Sequence, residues 1–185
     1  MIWSGILIYW ANPAYIPLPK GFVSFFHINN RLAEGIAWHF TIMWCFALNG
    51  LIYLAYLLVT REWREIIPLK RSFKDAALVV AHDLKIRREL PKQVGKINGA
   101  QRFAYTGAIV IGVMLILSGI AIHKPVQANL LTGLLGGYGF SRKIHFYSMI
   151  ALILFIFVHV AQVARAGWAN LQAMITGFEK AEDEN

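Results

Sequence analysis

The stretch that decides the fold runs from Ile144 to Ala164 and reads IHFYSMIALILFIFVHVAQVA. It contains no charged side chain and is as long as the roughly 20 apolar residues that a helix needs to cross a bilayer. Two further uncharged apolar runs of sufficient length lie at Gly35 to Val59 and at Phe103 to Ile122. The sequence therefore predicts three transmembrane helices, over about residues 35–59, 103–122 and 144–164.

The first apolar run, Met1 to Trp10, is too short to cross a bilayer, because Asn12-Pro13 and Pro17-Leu18-Pro19 interrupt the chain after it. A signal peptide would need a basic segment before the run and a small-residue cleavage site after it, and neither is present. We expect a helix over about residues 1–11 that is the second half of a longer one, with upstream residues missing from the numbered chain. The predicted fold is an all-α integral membrane protein, a four-helix transmembrane bundle whose first helix is truncated in its N-terminal half, and residues 1–185 form a single domain.

The composition agrees with a membrane protein. Hydrophobic residues make up 57% of the chain and charged residues 15%, whereas soluble domains carry about 25% charged residues. Cys45 is the single cysteine, which excludes an internal disulfide, a cysteine-ligated iron–sulfur cluster and a CxxCH haem attachment. Any cofactor is therefore held without thiolates.

The net charge of +8 arises mainly from one loop, residues 60–102, between the second and third predicted helices. This loop carries eleven of the eighteen basic residues: Arg61, Arg64, Lys70, Arg71, Lys74, Lys85, Arg87, Arg88, Lys92, Lys96 and Arg102. By the positive-inside rule the loop is cytoplasmic, so both termini are cytoplasmic as well, and the chain is a multi-pass membrane protein. Membrane lipid is the expected partner of such a chain, and nucleic acid is not.

Histidines supply the candidate chemistry, because an imidazole inside an apolar span is costly and points to a functional site. His39 and His145 lie roughly 6 Å and 5 Å inside the starts of their predicted helices, at 1.5 Å per residue, and therefore at one depth. Haem iron with two axial imidazoles needs ligands from different helices at the same level. The alternative for any single histidine is a ring that is hydrogen-bonded to a neighbouring helix.

His159 follows His145 by fourteen residues, which places the two rings about 40° apart around the helix and roughly 21 Å apart along it. One helix that presents two imidazoles to the same interior at two depths suits two stacked haems and an electron path across the bilayer. The remaining histidines are weaker candidates, because they lie in loops or at a helix end where polar side chains are inexpensive: His27, His82 and His123. The chain shows no internal repeat.

Several segments together resemble the bacterial di-haem cytochrome b subunits of the cytochrome b561 type. This family includes the membrane (gamma) subunits of formate dehydrogenases and the cytochrome b subunits of nickel–iron hydrogenases and thiosulfate-reductase-like enzymes. The segments that carry the resemblance are Trp3-Ser4-Gly5-Ile6-Leu7-Ile8-Tyr9, Arg31 to His39, Lys96-Ile97-Asn98-Gly99-Ala100-Gln101-Arg102, Leu117-Ser118-Gly119-Ile120-Ala121 with Lys124-Pro125, Arg142 to His145, His159 and Met174-Ile175-Thr176-Gly177. The loop Leu135-Gly136-Gly137-Tyr138 is most similar to the thiosulfate-reductase-like branch.

The resemblance implies a location in the bacterial inner (cytoplasmic) membrane, an outer haem b held by His39 and His145, and an inner haem b held by His159. In this family the second ligand of the inner haem is a histidine early in the first helix, and this sequence lacks it. The resemblance also implies a quinone site near the inner haem, where Asn98 matches the family's asparagine. Asn98 could equally cap the third helix.

The predicted function is a haem-b membrane subunit that passes electrons between membrane quinone (menaquinone or ubiquinone) and a separate oxidoreductase on the periplasmic face. Such a subunit has no complete active site of its own apart from a possible quinone site, and it holds one or two haems. The alternative function is a haem-free membrane anchor or assembly subunit, in which the histidines only bridge helices. A transporter or channel is disfavoured, because no acidic residue lies in the apolar runs.

Overall fold

The computed structural model describes residues 1–83, 85–89, 97–166 and Gln172, and this part of the chain is helical without any strand. It forms eight helices: α1 (Ile2–Trp10), α2 (Lys20–Phe25), α3 (Leu32–Thr60), α4 (Trp63–Ile66), α5 (Lys70–Asp83), α6 (Gly99–His123), α7 (Asn129–Leu134) and α8 (Tyr138–Ala166). The predicted all-α fold is confirmed. Lys92 and Lys96 of the basic loop and the segment Met174-Ile175-Thr176-Gly177 lie outside the described residues.

Three of these helices, α3, α6 and α8, are long and apolar enough to cross a membrane. Most of their large apolar side chains are exposed, for example Trp44, Leu58 and Phe157, as expected for surfaces that contact lipid rather than water. The helix α1, with nine residues, is too short to span on its own, as the sequence predicted.

The long helices begin earlier than the apolar runs. The helix α3 starts at Leu32 instead of Gly35, and α8 starts at Tyr138 instead of Ile144. For α8 the physical reason is that Gly136 and Gly137 adopt positive φ angles and end the preceding turn, so the helix starts directly after them. The charged residues that stopped the apolar run lie inside the first turns of α8.

The described chain divides into two compact units, Met1–Gly99 and Ala100–Asn185. In the first unit α1 packs along α3, and the two helices lie close together at Gly35, where an added Cβ would lie 2.8 Å from Cβ of Leu7. A small apolar core of Leu7, Val23 and Ile28 joins α1 to the segment around α2. The first unit is thus a helix pair whose connection contains a six-residue helix.

The second unit contains α6, α7 and α8. Its connection between the long helices also contains a six-residue helix, α7, in which the hydroxyl of Thr132 donates to the carbonyl oxygen of Ala121 in α6 at 3.4 Å. Ala121 and Ser118 of α6 are fully buried, and so is Ser141 of α8. The first unit up to the end of α3 therefore has the same order of elements as the described part of the second unit: a helix, a connection with a six-residue helix, and a long apolar helix. The first unit then continues with α4 and α5.

Candidate functional site

His39 is held by the helix α1. It follows the first residue of α3, Leu32, by seven positions, and its ring is partly buried. Its Nδ1 lies 3.1 Å from Oγ of Ser4, within hydrogen-bond distance, and Ser4 in turn donates its hydroxyl proton to the carbonyl oxygen of Met1 at 2.8 Å. A Cβ added to the next residue, Gly5, would lie 3.8 Å from Cε1 of the same imidazole. One serine and one glycine of α1 therefore border the ring.

His145 has the same surroundings in the second unit. It follows the first residue of α8, Tyr138, by seven positions, and its Nδ1 lies 3.0 Å from Oγ of Ser118 in α6. The hydroxyl of Ser118 donates to the carbonyl oxygen of Met114 at 2.5 Å. A Cβ added to Gly119 would lie 3.4 Å from Cε1 of His145. We refer to Ser4-Gly5 and Ser118-Gly119 as the two Ser-Gly pairs.

The sequence analysis did not identify the contacts of Ser4 and Ser118 with the two histidines. Ser4, Ser118 and Gly119 were noted only as parts of segments that resemble the family. A signal was present, however, because the tripeptide Ser-Gly-Ile occurs twice, at residues 4–6 and 118–120. The two other glycines of α6 in the apolar run, Gly107 and Gly112, have no described atom within 4 Å of an added Cβ. Close packing around an imidazole is therefore particular to the Ser-Gly pairs.

His159 lies on the same helix as His145, fourteen residues further along α8. Its side chain is exposed, and its ring stacks on Phe155 one turn earlier, with ring centroids 5.8 Å apart and an interplanar angle of 12°. The prediction that one continuous helix carries both histidines is confirmed.

Asn98 directly precedes Gly99, the first residue of α6, and is partly buried. This is the position of an N-cap residue. The start of α6 packs tightly against α5, because a Cβ at Gly99 would lie 2.7 Å from the carbonyl oxygen of Ser72 and 2.8 Å from the backbone nitrogen of Ala76. The location is that of a helix cap, and the quinone contact of Asn98 stays a prediction.

The donor set fits haem better than a protein-ligated metal cluster. In the part of the chain that the structure describes, no three side chains of His, Cys, Asp or Glu come together in a metal-binding group. Haem iron needs from the protein only one axial side chain on each face of the macrocycle, and a ligating imidazole usually has its second nitrogen hydrogen-bonded. His39 and His145 meet this requirement through Nδ1.

Comparisons with known proteins identify the family of the chain. Residues 1–177 match the family model described as prokaryotic cytochrome b561. A putative protein-methionine-sulfoxide reductase subunit YedZ1 from Azospira oryzae is 37% identical over 180 residues, which cover 96% of this chain and 86% of that protein. No solved structure matches the chain. The chain therefore belongs to the prokaryotic cytochrome b561 family and is a haem-binding electron-transfer subunit of a bacterial membrane.

Proposed function

We propose that His39 and His145 are the two axial ligands of one haem b, that His159 is a ligand of a second haem b, and that the chain passes electrons from membrane quinol to a periplasmic reductase. One observation carries the first assignment. Two imidazoles, on two different membrane-spanning helices, occupy the same position relative to the helix start and have the same serine at Nδ1.

The depth of the two imidazoles supports their pairing. The basic loop follows α3, so under the positive-inside rule α3 enters the bilayer from the periplasmic side, and α8 does the same. Seven residues at 1.5 Å each put both rings about 10 Å beyond the first residue of their helix. Two imidazoles at the same level on two helices of like direction are the ligand arrangement that a six-coordinate haem requires.

His159 lies about 21 Å further along α8 than His145, at 1.5 Å per residue, and so near the cytoplasmic side in this topology. The proposal assigns it to the second haem, and assigns no residue of this sequence to the opposite face of that haem. Asn98 lies at the cytoplasmic end of α6 in the same topology. We propose that its amide hydrogen-bonds a carbonyl of menaquinone or ubiquinone, which would place quinol oxidation and the second haem at one side of the membrane.

The protein's own contribution is to bind and orient. Haem b, when bound, supplies a one-electron redox change, and its potential depends on its axial ligands and their hydrogen bonds. The imidazoles of His39 and His145 would hold the iron, and the serines next to Nδ1 would limit the rotation of each imidazole. Apolar side chains of the spans exclude water, and the exposed faces of the helices contact membrane lipid.

The partner is proposed to be a separate catalytic subunit on the periplasmic face, since a membrane chain of this size has no loop large enough for a substrate-reducing cofactor site. The Azospira oryzae relative is named as a subunit of a protein-methionine-sulfoxide reductase. By analogy, the partner of this chain would reduce a sulfoxide to a thioether and water. This reaction takes up two electrons and two protons, so electrons would flow from quinol through the haems to the reductase.

The test is the haem content of single variants purified from membranes. His39→Ala and His145→Ala should each lose the same haem, since one remaining axial imidazole leaves the iron five-coordinate. His27→Asn is the matched control, because His27 lies in a loop and has a positive φ angle, which asparagine tolerates. A colourless wild-type preparation from haem-replete cells would support the haem-free anchor instead. Retention of a six-coordinate low-spin spectrum by both alanine variants would refute the pairing.

A further inference from the structure

We propose that Ser4 and Ser118 are positioning residues that fix the tautomer and the orientation of His39 and His145, and that they thereby set the reduction potential of the haem between these ligands. The inference rests on the proposed function, since it assumes that both imidazoles bind iron. It goes further in assigning a role to two serines that touch neither the iron nor a substrate.

The direction of the hydrogen bond follows from the contacts of Ser4. A serine hydroxyl has one proton, and the carbonyl oxygen of Met1, 2.8 Å away, can only accept it. Nδ1 of His39 lies 3.1 Å from the serine oxygen, and which of the two donates depends on the tautomer of the imidazole. While the hydroxyl proton is donated to the Met1 carbonyl, the serine oxygen can only accept, so this arrangement favours the tautomer with Nδ1–H and the lone pair on Nε2.

The same reasoning applies to Ser118. While its proton is donated to the carbonyl oxygen of Met114, at 2.5 Å, its oxygen can accept a hydrogen bond from Nδ1–H of His145, whose Nδ1 lies 3.0 Å away. In both histidines Nε2 is the nitrogen that can bind a metal. Without the serine, the two neutral tautomers would compete, and only one of them has its lone pair at Nε2.

A buried serine does not need a hydrogen bond to a histidine in order to satisfy its own hydroxyl group. Ser141 of α8 is fully buried like Ser118, and its hydroxyl donates to the carbonyl oxygen of Gly137 at 2.9 Å. This single bond to the preceding turn is enough to keep a buried serine in a helix. Ser4 and Ser118 each make a second hydrogen bond, to an imidazole, which the serine does not need. The effect of this second bond is therefore on the imidazole.

The glycine of each Ser-Gly pair has a complementary role. Cε1 is bonded directly to Nε2 in the imidazole ring, and a Cβ at Gly5 or Gly119 would already be in van der Waals contact with Cε1, at 3.8 and 3.4 Å. Any larger side chain would take up the space beside the metal-binding nitrogen. The serine at the first position therefore contacts Nδ1 of the ring, and the glycine at the second position adds no side chain beside Cε1.

A hydrogen bond from Nδ1–H makes an imidazole a stronger electron donor, which stabilises ferric over ferrous iron. Ser4→Ala and Ser118→Ala should therefore raise the midpoint potential of the same haem and weaken haem binding about 10- to 100-fold, as for other partners of metal ligands. The double variant should shift the potential further than either single variant. Ser4→Cys and Ser118→Cys keep nearly the same volume with a weaker acceptor, and should give intermediate shifts.

The experiment compares these variants with Ser141→Ala in the full chain in detergent or nanodiscs, by redox titration of the haem absorption band, low-spin EPR and haem-transfer assays. Ser141→Ala removes the same buried hydroxyl and the same type of helix bond without touching a histidine, and should leave potential and affinity unchanged. An equal shift in Ser141→Ala would overturn the proposal, because the effect would be one of helix packing.

The positioning role of the serines and the proposed function can be refuted independently of each other. Wild-type potential and affinity in the serine variants, combined with haem loss in His39→Ala and His145→Ala, would refute the positioning role and leave the proposed function intact. Full haem content in both histidine variants would refute the proposed function. If an alanine variant does not accumulate, the cysteine variant of the same serine decides the outcome, since its volume change is small.

Discussion

Replacement of Gly35 by alanine tests the link between helix packing and the haem ligands. An added Cβ at this position would lie 2.8 Å from Cβ of Leu7, 3.1 Å from the carbonyl oxygen of Ser4 and 3.2 Å from Cγ1 of Ile8. The first two atoms belong to the backbone or sit directly on it, so they cannot rotate away. Gly35→Ala must therefore push α1 away from α3.

The size of the shift can be worked out from these contacts. Ordinary contact begins at 3.4 Å, so α1 must move by 3.4 − 2.8, or about 0.6 Å. His39 lies one turn beyond Gly35 on α3, and Ser4 moves with α1. The hydrogen bond between Ser4 and His39, at 3.1 Å, would lengthen to about 3.7 Å, beyond the range of a hydrogen bond. The overpacking itself should cost about 1–3 kcal/mol of stability.

Gly35→Ala should therefore behave like Ser4→Ala in a redox titration, with a raised midpoint potential and faster haem loss, although the serine is still present. Gly21→Ala is the matched control in the same unit, because a Cβ at Gly21, in α2, has no described atom within 4 Å. Both variants are purified in parallel and titrated by absorption spectroscopy. A wild-type potential in a folded Gly35→Ala variant would show that the contact with α1 does not tune the His39 ligand.

Three further outcomes are expected. Asn98→Leu should slow haem reduction by a quinol analogue in stopped-flow measurements and leave the absorption spectrum intact, and unchanged kinetics would assign Asn98 to helix capping alone. His159→Ala should remove the second haem and spare the first, as measured by haem per polypeptide, and a loss of both would contradict separate sites. Tyr9→Phe should lower the free energy of unfolding by about 1 kcal/mol without a change in the midpoint potential. The reason is that the Tyr9 hydroxyl accepts hydrogen bonds from the backbone nitrogens of Tyr15 and Ile16, at 2.7 and 2.6 Å. An unchanged melting temperature would show that water replaces these bonds.

The transmembrane helices could be predicted from the sequence, because the cost of a charge in hydrocarbon leaves long uncharged runs that mark them. Their ends could not. Arg142 and Lys143 end the apolar run yet lie inside α8, since a helix tolerates charged residues wherever their side chains can reach water or headgroups. The backbone of Gly136 and Gly137, and not hydrophobicity, determines where α8 begins.

The candidate ligands were predictable for the same reason as the spans: an imidazole is conspicuous among apolar residues. Serine is not conspicuous, because in a membrane helix it bonds to its own preceding turn and packs like a small residue. Ser4 and Ser141 are the same type of residue, and both are buried. They differ because Ser4 contacts His39, which lies thirty-five residues further along the chain. No local sequence pattern could indicate this contact.

The two Ser-Gly pairs reach their histidines over different lengths of chain. Ser4 and His39 are 35 residues apart, and Ser118 and His145 are 27 apart. The connections between the helices differ accordingly, yet the distances from Oγ to Nδ1, 3.1 and 3.0 Å, agree closely. If the contact were a by-product of how each connection closes, a difference of eight residues would be expected to change it. The distance from Oγ to Nδ1 is nearly the same although the connections differ in length. Both units therefore preserve the position of the imidazole relative to the Ser-Gly pair.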